Sequence, residues 1–460
     1  MTLAVIQDDI FRAYDIRGIV GEGLNAEVMY YLGKAIGSEA LDIGENCLLL
    51  GSDARLSSPE FSEQMKAGIL ATGCSVIDLG QTPTPLLYFA THFLDVHSGV
   101  MITGSHNPKN YNGVKIVFKH QCLSDNQITV FKERIKSNDF HKGKGILKSF
   151  DIKEAYLQHI LNDIKLKLSW KVVIDSGNAI AANVAPELFS KLGCNTTTLF
   201  CDIDGAFPNH HPDPTITDNL VDLIEQVKIE KADLGIAFDG DGDRVVLVSG
   251  SGKVIDADKL LMAFVKDILP QNEAASVVYD VKSSQHLHAL IKDLHGKPLM
   301  CKSGHSYVKK AMVESGALIG GEYSAHIFFK HRWFGFDDGI YAAVRFIELM
   351  DKNNISADEI INDLPASINT PEIFIVVPEQ EKFKLIKALA ANFQIDGSEV
   401  NALDGLRVSF DFGWGIIRAS NTTPNLMLRF EANSEQALEQ IKTLFSNEIT
   451  RILPRLSINF

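Results

Sequence analysis

The sequence has little cysteine, and its cysteines lie far apart. Six occur in 460 residues, and no two of them form a CxxC pair. This usage argues against a disulfide framework or a cysteine zinc site, and it favours reduced, mostly buried thiols. Residues 1–9 also lack the basic and apolar regions of a signal peptide, so we expect a cytoplasmic protein.

Positive charge and long apolar runs are scarce as well. Lysine and arginine number 44 against 58 aspartates and glutamates, which gives a net charge of −14. Nucleic acids and anionic membranes are bound by positive surfaces, so this balance argues against both as partners. No stretch approaches the ~18 apolar residues of a membrane span. The negative net charge does not exclude a local basic pocket that binds a small anionic substrate.

Length and patterning predict several α/β domains. A chain of 460 residues suggests about three domains of ~150 residues. An apolar strand, a polar turn and a helical pattern follow one another around Asp53, Asp175 and Asp280. Strands that alternate with helices predict α/β layers. The three stretches are therefore expected to fold alike.

The last part of the chain has a different pattern. A strand is predicted at residues 372–377, a helix at 379–392, and strands near 405–410 and 415–419. This order indicates a smaller α+β domain after three similar mixed-sheet α/β domains. The predicted domains comprise residues 1–150, 151–253, 254–366 and 367–460.

One polar segment follows the apolar strand at residues 99–102. Gly104 permits an unusual turn, so Ser105 is presented at the strand end with His106 beside it and Lys115 one loop away. The segment is either a polar turn or the loop of a nucleophilic or phosphorylated serine. A serine-hydrolase interpretation is weak because the G-x-S-x-G elbow is absent.

A second segment follows the apolar run at residues 234–238. Asp239, Asp241 and Asp243 are separated by single glycines, and three carboxylates at this spacing can fold around one hard divalent cation. An EF-hand is excluded because Arg244 stands where that loop needs glycine. The alternatives are a solvated acidic turn and a metal site, with Mg²⁺ favoured by all-oxygen ligands.

Two further segments carry groups that suit a sugar phosphate. Glu322, Ser324 and His326 alternate along residues 320–326 and could bond adjacent hydroxyls, or they could form a strand-end turn. Residues 418–425 combine an arginine with serine, asparagine and threonine, a composition that can cradle a phosphate.

In this order and at this spacing, the four segments resemble the α-D-phosphohexomutase superfamily, and within it the bacterial phosphomannomutase/phosphoglucomutase branch. The resemblance extends over essentially the whole chain, including residues 11–18 (FRAYDIRG) and 207–214 (FPNHHPDP). It implies four domains around a central cleft. It also implies an isomerase of carbohydrate metabolism, an intramolecular phosphotransferase that interconverts hexose 1-phosphate and hexose 6-phosphate through a phosphoserine and a hexose 1,6-bisphosphate activator.

The resemblance assigns roles by position. Ser105 is implied to be the phosphoserine, and together with Asp239, Asp241 and Asp243 it is implied to hold Mg²⁺. The further residues implied to be catalytic are Arg17, Lys115, Arg244 and His326. The residues implied to bind substrate are Tyr14, His106, Asn107, Lys282, Gly304, His305, Glu322, Ser324, Arg418, Ser420, Asn421, Thr422 and Arg429. The choice of base among Lys115, His326 and Arg17 stays open.

The sugar loop departs from the family pattern. Tyr323 stands where dual-specificity relatives usually carry methionine, and Ala325 stands where glycine is common. The preference between mannose and glucose is therefore open. The alternatives to this enzyme are a phosphoglucosamine mutase, a phosphatase and a non-catalytic sugar-phosphate-binding protein. Sugar phosphates are the expected partners, and we expect a monomer or weak oligomer.

Overall fold

The computed structural model describes residues 6–420, 424–456 and 458. Within them, four β-sheets of seven, five, four and six strands follow one another along the chain. The first three sheets mix parallel and antiparallel strands, and the fourth is antiparallel. The predicted fold class, three mixed α/β layers and a smaller α+β unit, is confirmed.

The first sheet has the order β1-β5-β4-β2-β3-β7, with β6 beside β5. Its elements are β1 (Ile16–Ile19), α1 (Ala26–Asp42), β2 (Cys47–Ser52), α2 (Ser58–Leu70), β3 (Ser75–Gln81), α3 (Thr84–Phe93), β4 (Gly99–Ile102), β5 (Tyr111–Phe118), β6 (Gln121–Cys122), α4 (Asn126–Lys136) and β7 (Leu147–Ser149). The central strand β2 pairs in parallel with β3 and β4 and buries Leu48, Leu49 and Leu50 completely. A continuous apolar run of this kind is typical of a strand covered on both faces.

The second sheet has the order β12-β11-β10-β8-β9. Its elements are α5 (Lys153–Asp163), β8 (Lys171–Asp175), α6 (Ala185–Lys191), β9 (Asn195–Leu199), α7 (Val221–Glu230), β10 (Leu234–Phe238), β11 (Val245–Ser249) and β12 (Val254–Ile255). Strands β10 and β11 pair antiparallel, and the acidic loop connects them. Strand β12 pairs with β11, so this sheet extends two residues beyond the boundary predicted at residue 253.

The third sheet has the order β14-β13-β15-β16. Its elements are α8 (Ala257–Ile268), β13 (Ser276–Asp280), α9 (Gln285–Asp293), β14 (Lys297–Cys301), α10 (His305–Ser315), β15 (Ile319–Gly321), β16 (Ile327–Phe329), α11 (Gly339–Asn353) and α12 (Ala357–Asn362). One hydrophobic core extends through the first three sheets, with Met101, Ile236 and Val277 among its fully buried members.

The fourth sheet has the order β17-β22-β21-β20-β19, with β18 also on β22. Its elements are β17 (Ile368–Asn369), β18 (Ile373–Val376), α13 (Lys382–Asn392), β19 (Glu399–Asn401), β20 (Leu406–Phe410), β21 (Gly413–Ala419), β22 (Asn425–Ala432) and α14 (Glu435–Ile452). Short 3-10 helices lie at Asp8–Ile10, Ile180–Asn183, Thr217–Leu220 and Leu269–Gln271. This sheet has a core of its own around Leu428, Phe430 and Phe445.

The chemistry-bearing segments lie where strands end. Ser105 follows β4, the acidic loop follows β10, and the loop at 322–326 follows β15, each at the carboxyl end of its strand. Polar loops at such edges are where α/β sheets hold their ligands. In the described part of the chain, no helix combines the length and apolar character needed to cross a membrane.

Candidate active site

Ser105 lies in a left-handed backbone conformation, with a φ angle of 48°. Its hydroxyl donates to Asp239 Oδ2 at 2.9 Å and lies 3.2 Å from His106 Nδ1. The two loops approach so closely that a Cβ on Gly240 would lie 2.1 Å from the Ser105 carbonyl oxygen. The serine loop of the first sheet and the acidic loop of the second therefore form one site.

The three aspartates of the acidic loop are fully buried and present one carboxylate oxygen each within 4.8 Å of the others. Lys115 Nζ donates to Asp241 Oδ2 at 2.6 Å and to Asp243 Oδ2 at 2.5 Å. Asp241 Oδ1 and Asp243 Oδ1 are buried without a hydrogen-bond partner among the described residues. Hard oxygen donors with orphaned lone pairs fit a divalent cation such as Mg²⁺.

Electrostatics in this loop favour a cation. Burial, and then the neighbouring carboxylates, raise the pKa of Asp239 well above its usual range. Burial, and then the negative charge of Asp241, also raise the pKa of Asp243. Burial also opposes the ionisation of Asp241, but the Lys115 ammonium holds the pKa of that carboxyl below its usual range. A bound divalent cation would remove the repulsion that causes the two upward shifts.

His326 is held between two charged groups. Arg244 Nε donates to His326 Nε2 at 3.0 Å, so the imidazole proton is assigned to Nδ1. His326 Nδ1 lies 3.0 Å from Asp337 Oδ2, and Lys309 Nζ donates to the other oxygen of Asp337 at 2.7 Å. Asp337 is fully buried, and its carboxylate lies between the Lys309 ammonium and the His326 ring. The sequence analysis missed Asp337, which lies in a loop without a recognisable motif.

The sugar loop is fixed by its own backbone. Glu322 N donates to the His326 carbonyl at 2.9 Å, and Glu322 Oε1 accepts from Gly304 N at 2.5 Å. Ala325 has a φ angle of 73°, in the region that favours glycine. Glycine, which the resemblance leads one to expect at this position, would adopt this conformation without strain. Tyr323 N donates to Asp280 Oδ1 at 3.1 Å.

Most of the predicted site residues line one cleft, which holds about 350 Å³ of empty space. Its lining consists of Tyr14, Arg17, Ser105, His106, Lys115, Arg244, Gly304, His305, Glu322, Ser324 and His326. Arg17 donates to Asp15 Oδ2 at 2.5 Å and also to the side chain of Asn107. The first three sheets thus contribute to one polar cavity.

The remaining predicted substrate residues are not part of this lining, although Asn107 accepts from the lining residue Arg17. Lys282 Nζ donates to Glu372 Oε1 at 2.8 Å, and Arg418 Nε donates to Asp404 Oδ2 at 3.1 Å. Ser420 N donates to the carbonyl of Asn425 at 2.9 Å, at the end of β21. Asn421 and Thr422 are outside the described residues.

Arg429, to which the resemblance gives a role in phosphate binding, lies between the third and fourth sheets. It is completely buried, and its guanidinium carbon lies 3.6 Å from the centre of the Tyr323 ring. It donates to the Lys282 carbonyl, and its Nη2 lies 3.6 Å from Asp258 Oδ2. These contacts join the third and fourth sheets, and Arg429 Nε and Nη2 have no hydrogen-bond partner among the described residues.

Comparison with known families identifies matches along almost the whole chain. Models of phosphoglucomutase/phosphomannomutase α/β/α domains I, II and III match residues 8–142, 154–252 and 256–368. The model of the C-terminal domain of the same proteins matches residues 372–447. The matched segments occur in the same order as the four sheets.

Individual relatives match over nearly their full length. A phosphomannomutase/phosphoglucomutase of Pseudomonas aeruginosa is 49% identical over 451 residues, which cover 98% of this chain and 97% of that protein. A phosphoglucomutase of Neisseria gonorrhoeae is 44% identical, with coverages of 96% and 97%. The crystal structure of a phosphoglucomutase/phosphomannomutase family protein from Burkholderia thailandensis superposes with a TM-score of 0.95, at 41% identity and coverages of 99% and 100%.

Proposed function

The chain belongs to the phosphoglucomutase/phosphomannomutase family, and from this premise we propose that it is an enzyme that reversibly converts hexose 1-phosphate into hexose 6-phosphate. The observation that carries the proposal is the 2.9 Å contact between Ser105 Oγ and Asp239, inside a cleft lined by sugar-binding and basic groups. A serine beside a carboxylate cluster suits phosphoryl transfer, because the moving phosphoryl needs charge neutralisation.

The proposed reaction passes through a hexose 1,6-bisphosphate. The bond between Ser105 Oγ and phosphorus breaks while the free hydroxyl oxygen of the bound sugar forms its own bond to phosphorus. The hydroxyl proton passes to a base of the cleft. The bisphosphate then turns over, its other phosphoryl group returns to Ser105 Oγ, and the isomeric monophosphate leaves.

The acidic loop supplies the proposed metal ligands. Asp239, Asp241 and Asp243, with an oxygen of the phosphorylated Ser105, would hold Mg²⁺. When bound, the ion would neutralise charge on the transferring phosphoryl group. Arg244 presents a second positive group at the same side of the cleft, where it contacts His326. The hard oxygen donors support Mg²⁺ over softer metals.

Three cleft residues were candidates for the base. Arg17 is unsuited, because a guanidinium stays protonated in proteins. His326 is the one of the three that carries an imidazole, the side chain most often used for proton transfer, and its Nδ1 lies 3.0 Å from Asp337 Oδ2. We therefore propose His326 as the base. Burial opposes the charge of Lys115, but Asp241 and Asp243 raise the pKa of this ammonium, so Lys115 keeps its proton and serves as a positive group of the cleft. A hydroxyl that reaches His326 Nε2 must displace its contact with Arg244.

The proposed substrates are the phosphates of mannose and glucose. The names of the relatives, phosphomannomutase/phosphoglucomutase and phosphoglucomutase, support this choice over glucosamine phosphate. The contact between Ser105 and the acidic loop supports an enzyme over a non-catalytic binding protein. The expectations of a cytoplasmic location and of a monomer or weak oligomer stay predictions.

Phosphorus NMR tests the proposal directly. Native protein with Mg²⁺ and a trace of hexose 1,6-bisphosphate should convert mannose 1-phosphate and glucose 1-phosphate, in parallel tubes, into 6-phosphates. Ser105→Ala should lose turnover and still bind sugar phosphate in calorimetry, while Ser137→Ala, at an exposed site on the end of α4, should behave as native. Inorganic phosphate without isomer would indicate a phosphatase, and turnover of glucosamine phosphate alone would indicate the alternative mutase.

A further inference from the structure

Arg55 is a fully buried arginine whose guanidinium is bonded to the loop that carries Ser105. Its Nη2 donates to the carbonyl oxygens of Ser105 at 2.7 Å and Asn107 at 2.6 Å. Its Nη1 donates to the carbonyl oxygens of Pro108 at 2.6 Å and Tyr111 at 2.9 Å. One side chain thus holds four carbonyl groups between Ser105 and the start of β5.

The positive charge of Arg55 is paired with the carboxylate of Asp53, which also contacts the serine loop. Arg55 Nε lies 3.2 Å from Asp53 Oδ2, which also accepts from Gly104 N at 3.1 Å. A buried cation is tolerated when it is paired and its donors are used. Asp53 supplies the pairing and Nη1 and Nη2 donate four bonds, whereas Nε makes the ion pair without a hydrogen bond. A Cβ on Gly104 would lie 2.5 Å from the guanidinium, so glycine is required by the approach of Arg55.

A segment of the second domain closes over this arginine. The Phe207 ring centre lies 5.2 Å from the guanidinium carbon, within the range of a cation–π contact. A Cβ on Gly205 would lie 2.3 Å from the carbonyl oxygen of Ala54, so this segment packs directly against the chain beside Arg55. The resemblance includes residues 207–214 without giving them a role. Phe207, the first of them, packs over the arginine that is bonded to the serine loop.

We propose that Arg55 is a positioning residue for phosphoryl transfer, which holds Ser105 in its left-handed conformation so that Oγ faces Asp239. The proposal rests on the mutase reaction proposed above. A φ angle of 48° is unfavourable for serine, and without an external restraint the peptide would relax toward negative φ. The four bonds from Arg55 supply that restraint, and Phe207 covers the side chain that makes them.

The alternative is that Arg55 only stabilises the fold. The two roles predict different kinetic effects. Glu322 and Ser324 of the third domain line the sugar side of the cleft and are not among the contacts of Arg55, so a displaced Ser105 should affect turnover more than sugar binding. A positioning role predicts that kcat falls while KM changes little. A structural role predicts a lower Tm with unchanged kinetics of the folded molecules.

The experiment compares Arg55→Met and Arg55→Lys with Arg345→Met. Arg345 is a matched control, since it is 2% exposed, lies over the Phe329 ring at 4.7 Å and donates to the His331 carbonyl, remote from Ser105. Both Arg55 variants should lose roughly 100-fold in kcat, the usual consequence of misplacing a reacting group. Lysine keeps the positive charge but cannot bond four carbonyls, so Arg55→Lys should not restore kcat. Arg345→Met should lower Tm and leave kcat unchanged.

A second readout does not depend on turnover. Ser105 is phosphorylated with hexose 1,6-bisphosphate, and the rate is followed by intact mass. This rate should fall in both Arg55 variants, and it should fall less in Phe207→Leu, which keeps the arginine and removes its aromatic cover. If Arg55→Met does not fold, the kcat values and phosphorylation rates of Arg55→Lys and Phe207→Leu distinguish the positioning role from the structural role.

Two results would overturn the proposal: native kcat and phosphorylation rates in folded Arg55 variants, or a rise in KM at unchanged kcat. Failure of the proposed function is distinguishable, because the native protein itself would then leave both sugar phosphates unconverted. Native turnover together with unaffected Arg55 variants would reject the positioning role alone.

Discussion

At the scale of single residues, Tyr323 connects the sugar loop to the fourth domain. Its ring lies 3.6 Å from the Arg429 guanidinium carbon, and Arg429 in turn donates to the Lys282 carbonyl. The Lys282 ammonium is paired with Glu372 at the start of the fourth domain. Arg429 therefore joins the fourth sheet to the ring of Tyr323, which stands between Glu322 and Ser324 in the sequence.

Substitution of Tyr323 by methionine, the residue that the resemblance leads one to expect there, should loosen this connection. Loss of a buried cation–π contact costs about 1 kcal/mol, which corresponds to about a fivefold change in affinity. KM for mannose 1-phosphate and glucose 1-phosphate should therefore rise about fivefold. Steady-state kinetics with both sugars measure the effect. Tyr323→Phe keeps the ring and serves as the control, and equal KM values for the two variants would contradict the argument.

The site residues differ in how far the sequence predicts them. Ser105 and Asp239 stand in short polar segments directly after apolar strands, so turn chemistry and spacing single them out. Arg55 contacts Ser105 across 50 positions of sequence, and its partners there are backbone carbonyls, which every residue possesses. Asp337 likewise acquires its importance only when β16 brings His326 beside it. Residues that act through such contacts carry no local signal.

At the scale of elements, helices α1 and α2 cross with almost no space between their backbones. A Cβ on Gly68 would lie 2.2 Å from the Tyr30 carbonyl oxygen, and one on Gly33 would lie 2.4 Å from the Met65 carbonyl oxygen. Glycine in a helix is less favourable than alanine by about 1 kcal/mol. The close approach of the two helices outweighs this preference.

Gly68→Ala should therefore destabilise the protein although it raises helix propensity. The gain of about 1 kcal/mol from propensity opposes an overpacking penalty of about 1–3 kcal/mol, and backbone atoms on the other helix cannot rotate away. Urea unfolding should show a lower midpoint, with kcat of the folded fraction unchanged. Gln64→Ala, half-buried on the same helix, should change the midpoint little. A stabilised Gly68→Ala variant would show that the helices separate at no cost.

Elements with strong local patterns were predicted well. The strand expected at 405–410 is β20 (Leu406–Phe410), and the helix expected at 379–392 is α13 (Lys382–Asn392). The sequence analysis assigned no element after residue 419, where the structure has β22 and α14 (Glu435–Ile452). Strand β22 joins β21, β17 and β18, so its length reflects pairing with three partners rather than its own composition.

At the scale of the whole molecule, the arrangement of the domains depends on contacts that join distant parts of the chain. The Tyr156 hydroxyl of α5 donates to Asp338 at 2.9 Å, and Asp351 of α11 accepts from Trp170 Nε1 at 3.1 Å. Such pairs lie more than 180 positions apart, and no periodicity in the sequence reveals them. The central cleft was accordingly inferred from the family resemblance and not from the pattern of strands and helices.

Buried imidazoles predict how the whole molecule responds to acid. Burial, followed by the neighbouring His120 and Lys330, lowers the pKa of His92 to about 4. Burial also lowers the pKa values of His106 and His305 well below their usual range. A histidine is protonated in the unfolded chain near pH 6.5. The unfolded state therefore takes up protons first as the pH falls, and the free energy of unfolding should decrease between pH 6.5 and pH 4.

His92 permits a test because it lies outside the cleft, stacked on His120 at 4.2 Å and on Phe334 at 4.8 Å. His92→Phe keeps the stacking and removes the titrating nitrogens, so its free energy of unfolding should fall less steeply than that of the native protein in urea titrations across this pH range. His295→Asn, at an exposed position, should retain the native slope. Parallel slopes for native protein and His92→Phe would mean that His92 is protonated equally easily in both states, and acid sensitivity would then arise from the other buried groups.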